Sequence, residues 1–104
     1  MGYQTTYNLD ISPFPESELK WLIQTNDILS YVYNHGYETK WYNHEKDMVE
    51  LSKKFPEYLF TLDGQGEGQG DVWRKYFKGG LMQVWRMSPQ TPDPFDPKKL
   101  KEIV

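Results

Sequence analysis

Apolar side chains recur along this chain with two periods, and the switches between them mark out the elements. Tyr3, Thr5, Tyr7, Leu9 and Ile11 alternate with Gln4, Thr6, Asn8 and Asp10, which predicts a strand with one buried face. Ser12-Pro13 resembles an N-cap followed by a first-turn proline, and Leu19, Leu22 and Ile23 form a helical stripe, so a helix is expected from about Pro15 to Thr25. Leu29, Tyr31 and Tyr33 alternate with Ser30 and Val32 as a second strand, and Asn34 to Glu38 carries turn residues without periodicity. His44, Met48, Leu51 and Phe55 return to helical spacing over His44 to Lys54. Asn43 stands at the N-cap, Glu45 and Asp47 in the first turn, Lys53 and Lys54 in the last, and Pro56 stops the helix.

The rest of the pattern is that of strands. Tyr58, Phe60 and Leu62 alternate with Leu59, Thr61 and Asp63, a second run spans Val72 to Lys78, and Gly79-Gly80 predicts a type I′ turn into Leu81 to Met87. That turn fixes a register. Phe77 opposite Met82, Lys75 opposite Val84 and Trp73 opposite Arg86 share one face, taken as the core face. Tyr76 opposite Gln83, Arg74 opposite Trp85 and Val72 opposite Met87 form the other, which reads either as a partner surface or as a solvated sheet with Arg74 stacked on Trp85. The expected fold is α+β. It is a two-layer sandwich in which a mainly antiparallel sheet of about five strands carries two helices on one face, in the order β-α-β-α-β-β-β, within residues 1–87. Trp41, Met48, Leu51, Phe60, Leu62, Trp73, Phe77 and Val84 are expected to be buried. The proline-rich stretch 88–104 follows as a tail, with a short helix from Pro97 to Ile103 capped by Asp96. It either packs back through Phe95, Leu100 and Ile103 or projects as a peptide.

With 104 residues, 38% hydrophobic and 16% aromatic, the chain suits one domain with a core filled by large rings. A net charge of −3 argues against a broad nucleic-acid or anionic-membrane footprint and favours a basic protein surface as partner. Cysteine is absent, which removes disulfides, thiolate nucleophiles and cysteine-ligated metals. No apolar run is long enough to span a bilayer, and the first residues lack signal-peptide regions, so a cytoplasmic protein is expected.

The chemistry is sparse. His44 and Asp47 at i and i+3 could grip a metal, but a second ligand pair is missing and His44 falls on the apolar stripe, so a locally hydrogen-bonded histidine is the stronger reading. The stretch Asp63 to Asp71 has the acids and the glycine of a calcium loop at some places, yet Gln65 and Arg74 stand where an oxygen ligand and a bidentate glutamate are needed. It lacks the lysine of a phosphate loop and the helix of a dinucleotide fingerprint. Glycine at every second position instead leaves one face of a hairpin bare, so that an aromatic ring can approach closely. No catalytic constellation, metal site or cofactor site emerges.

The runs Lys40-Trp41-Tyr42-Asn43-His44-Glu45-Lys46-Asp47-Met48, Leu51-Ser52-Lys53-Lys54-Phe55-Pro56, Leu59-Phe60-Thr61-Leu62, Gly66-Glu67 and Asp71-Val72-Trp73-Arg74-Lys75-Tyr76-Phe77 resemble a segment recurring in small, mostly uncharacterised proteins of tailed phages and prophages. The resemblance covers about the central half of the chain. It implies a phage-type accessory protein in the host cytoplasm that binds and inhibits a host component, for example in the manner of an anti-CRISPR or other anti-defence protein. On this reading the chain is not an enzyme, and Glu67, Asp71, Arg74, Tyr76 and Trp85 form an acidic and aromatic surface for a basic host protein. The alternative places a nucleotide or single-stranded nucleic acid on the sheet face of Arg74, Tyr76 and Trp85.

Overall fold

The computed structural model describes residues 4–67, 71–86 and 93–103. Expectations that touch Tyr3, Gly68 to Gly70, the pairing of Met87 and residues 88–92 lie outside them. Five strands form one antiparallel sheet: β1 (Thr5–Ser12), β2 (Tyr37–Thr39), β3 (Leu59–Gly66), β4 (Val72–Lys78) and β5 (Leu81–Arg86), in the spatial order β2-β1-β3-β4-β5. Three helices, α1 (Ser17–Thr25), α2 (Asp27–Asn34) and α3 (His44–Lys54), complete a two-layer α+β sandwich.

Helix α2 corrects the expected strand over Leu29 to Tyr33. Alternation and helical spacing compete in this segment, and Asn26 decides between them, because its side chain accepts a hydrogen bond from the Leu29 N–H at 3.0 Å and caps the helix. Leu29 and Val32, three apart, are then the buried pair. The second strand forms instead over Tyr37–Thr39, within and just beyond the stretch expected to be a loop, after Gly36 turns the chain with φ +76°. Ser12 belongs to β1 rather than capping α1, whose cap position is held by Glu16. Asn43 makes no side-chain cap to α3, although its carbonyl accepts from the Asp47 N–H.

The β4–β5 register is the expected one, and Gly79 and Gly80 both take the positive φ of the tight turn. Rows cross the sheet on its helix-facing side: Ile11, Phe60, Phe77 and Met82; then Leu9, Leu62, Lys75 and Val84; then Tyr7, Gly64, Trp73 and Arg86. Of the eight residues expected in the core, seven are buried; Val84, 39% exposed, is not, because β5 is the edge strand. Gly64 lies beneath the Trp73 indole. A Cβ there would come within 2.1 Å of the ring, so the bare hairpin face is used by an aromatic of the partner strand. Across the glycine, Tyr7 and Trp73 meet edge to face at 5.9 Å.

After residue 92 the chain runs back over the sheet. Phe95 contacts Tyr76, a single 3-10 turn spans Pro97–Lys99, and Ile103 packs against the core. Asp96 caps that turn as expected, accepting from the Lys98 N–H, but the helix goes no further. Lys101 is extended and forms an antiparallel bridge with Met82, which uses the backbone groups that a longer helix would have kept.

Two substitutions test this packing by denaturant unfolding. Leu51→Ala should cost about 2–5 kcal/mol as a core truncation, and a loss under about 0.5 kcal/mol would make the site peripheral. Gly64→Ala should cost about 1–3 kcal/mol by forcing Trp73 aside, and an unchanged midpoint would mean that the indole does not lie on the glycine.

Candidate functional site

The five residues singled out from the sequence do not form one open surface. Glu67 stands at the end of β3, where its carboxylate accepts the Gln4 N–H, and Asp71 precedes β4, its carbonyl accepting the Gly66 N–H at 2.8 Å. Arg74 points to the helix-free face and makes a two-pronged ion pair with Asp63, its partner in register, at 2.5 and 2.9 Å. The hydrogen bonds to Asp63 hold the guanidinium more firmly protonated than usual, against the opposing effect of burial. Arg74 therefore serves Asp63 across the ladder, and no stacking on Trp85 is formed.

Tyr76 and Trp85 are buried, 5% and 9% exposed. The tail covers Tyr76 and Gln83. The Tyr76 hydroxyl donates to the Asp93 carbonyl at 2.5 Å, and the Gln83 amide donates to the Pro94 carbonyl at 3.1 Å and accepts from the Asp96 N–H at 2.8 Å. The Phe95 ring lies 5.6 Å from that of Tyr76. The tail and the rings of Tyr76 and Phe95 thus make a second, smaller buried layer, while Arg74 and Trp85 border a cleft of about 340 Å³ with Asp63 and Val72.

The strongest cluster of ionisable groups lies on the opposite face and was only half visible in the sequence. Lys75 faces the helices with 4% of its side chain exposed. Its ammonium is 2.7 Å from Glu45 Oε2, 2.7 Å from His44 Nε2 and 4.2 Å from the centre of the Trp73 ring. Since Nε2 accepts from the ammonium, His44 carries its proton on Nδ1 and donates it to the Trp41 carbonyl at 3.0 Å. All three ammonium hydrogens thus have takers. Burial lowers the Lys75 pKa, and Glu45 works against that shift. Burial and the adjacent Lys75 lower that of His44. For Glu45 burial acts upward, but the hydrogen bond and charge of Lys75 prevail and bring its pKa down. Asp47 accepts from the Trp41 indole N–H at 2.7 Å and so does not join His44 in a ligand pair. Among the described residues no three histidine or carboxylate side chains come together as metal ligands. Tyr7, Trp41, Tyr42, Trp73, Asp71 and Arg86 border a shallow cleft of about 270 Å³ beside this cluster.

A larger hollow opens on the helical layer. Leu22, Ile28, Leu29, Leu51 and Trp41 line a groove of about 360 Å³ between α1–α2 and α3, and Asp47 and Glu50 stand at it with Asn26 and Lys54. The same layer and its entry loops expose Phe14 at 75%, Trp21 at 67%, Tyr42 at 72% and Tyr31 at 50%. Nothing in the alternation of the strands pointed here. The signal available in the sequence was Trp21 and Tyr42 falling off the helical stripes.

Compared with protein-family models, curated proteins and solved structures, the chain has no match in any of the three.

The cluster predicts an acid-sensitive fold. His44 is held neutral in the folded chain at pH values where the unfolded chain takes up a proton, so stability should fall as pH drops below the ordinary 6.5 and continue to fall towards the lowered folded value. Glu45 adds a further loss below the ordinary 4.5. Urea midpoints measured in steps of pH would show it, and a flat profile between pH 7 and 5 would contradict it. Lys75→Met should raise the His44 pKa by removing the neighbouring cation, and an NMR titration of the imidazole that did not move would show that Lys75 has no part in the shift.

Proposed function

We propose that this chain is a non-catalytic accessory protein of the phage type, acting in the host cytoplasm, that binds and inhibits a host protein with a basic surface, in the manner of an anti-defence or anti-CRISPR inhibitor. The observation that carries the binding part is the groove of the helical layer, an apolar floor with Asp47 and Glu50 at its border, on helices that also expose Trp21 and Tyr31. Large exposed rings supply contact area at small cost in side-chain entropy, and neighbouring carboxylates steer a basic partner onto them. Twelve of the fifteen acidic residues and five of the twelve cations precede Val72, so the segment that builds this layer holds the excess of negative charge. The phage setting is supported by the resemblance of the central segment. Against a nucleic acid on the other sheet face, Tyr76 is bonded to the tail and Trp85 is only 9% exposed, which leaves little ring surface for a base to stack on.

Capture from bacterial lysate at physiological salt should yield a protein whose contact surface is basic. Trp21→Ala should speed its dissociation about tenfold or more while leaving the melting temperature within about 2 °C. Glu50→Lys should slow association and weaken its salt dependence. Recovery of nucleic acid alone, or full binding by both variants, would defeat the reading.

A further inference from the structure

Among the described residues the β5 edge of the sheet is paired only at Met82. The Met82 N–H donates to the Lys101 carbonyl at 2.7 Å and the Lys101 N–H to the Met82 carbonyl at 2.8 Å. There the pairing stops. Backbone groups alternate in direction along an antiparallel strand, so those of Val84 and Arg86 face the same way as those of Met82, away from β4. No described residue pairs with them. The Val84 side chain is exposed at the same place, and a cavity of about 440 Å³ opens between this stretch of β5 and the segment around the 3-10 turn.

The charge at this edge is opposite to that of the helical layer. Seven of the twelve cations but three of the fifteen acids follow Asp71. Lys98, Lys99 and Lys101 border the cavity, together with Glu102, and Arg86 stands further along the same strand. The Lys99 ammonium lies 3.6 Å from Asp93 with both groups half exposed, a pairing that water and salt weaken.

We propose that this edge is the docking site for an extended acidic segment of another protein, which adds as a short strand along Val84 and Arg86 beside the position held by Lys101. Main-chain hydrogen bonds supply the affinity, the lysines select carboxylates, and Val84 receives an apolar side chain from alternate positions of the guest. A second copy of this chain does not fit the role. Symmetric edge-to-edge pairing would set Arg86 and the lysines of each copy against those of the other, and lysine-rich edges keep identical sheets apart for that reason. The inference is independent of the proposed function, since it concerns other elements and a partner of the opposite charge.

The test uses the full chain and a fluorescent eight-residue peptide alternating glutamate and valine. The control has the same glutamates with proline at two valine positions. Anisotropy should show the alternating peptide binding at least about tenfold more tightly than the control, and hydrogen exchange should show the Val84 and Arg86 amides newly protected. Val84→Pro removes an outward N–H and no bond to β4, so it should abolish binding with little change in melting temperature. Should that variant fold poorly, the triple change Lys98→Glu, Lys99→Glu and Lys101→Glu should still weaken binding about tenfold or more. Equal binding of the two peptides, protection elsewhere, no binding by either, or self-association through this edge would each overturn the proposal.

Discussion

A lysine in the core face of a sheet must be given a counter-charge, and the placement of α3 follows from that demand. Lys75 stands between Leu62 and Val84 with 4% of its side chain exposed, and its ammonium is satisfied from above, by Glu45 and His44 in the first turn of the helix. The arrangement reaches further, because His44 also holds the Trp41 carbonyl and Asp47 holds the Trp41 indole. The loop before α3, the helix and β4 are thereby fixed as one unit. Such a pair adds little net stability over an apolar replacement, whereas removing one partner strands a charge and costs several kcal/mol. Its effect is to specify one seating of the helix on the sheet.

Local signals were the legible ones. The α3 boundaries, the glycine turn and its register rest on neighbours within a few residues, and the bare face at Gly64 was readable because glycine spacing is itself a statement about side chains. Helix α2 was not, since Leu29, Tyr31 and Tyr33 alternate as well as Leu29 and Val32 fit a turn of helix, and one cap from Asn26 tips the balance. The expected exposure of Tyr76 and Trp85 was misread for a different reason. Periodicity sorts side chains into two faces but does not say what covers each, and the cover of Tyr76 and Gln83 comes from Asp93 to Asp96, ten or more residues away in the chain.

That cover divides the molecule's surfaces. With the tail lying over β4 and β5, the helix-free face keeps the Asp63–Arg74 pair at its border and gives its rings to the interior. Among the described residues the helical layer presents an acidic and aromatic groove, and the β5 edge a basic and main-chain polar one. The two differ in sign, in chemistry and in the elements that build them, so a change that weakens one leaves the other in place.

The short contact between Gly66 and Asp71 also sets where the chain can change in length. The Gly66 N–H closes onto the Asp71 carbonyl, and from there Gln65 pairs with Val72 and Gly64 with Trp73, so the register of β3 against β4 is already fixed at the base of the connection. Residues gained or lost between Glu67 and Asp71 do not shift that register. One residue added between Gly64 and Gly66 would set a side chain under the Trp73 indole and turn each preceding position of β3 to the opposite face relative to β4. Natural variants of this chain should therefore differ in length at the hairpin tip and keep the Gly64 to Gly66 spacing.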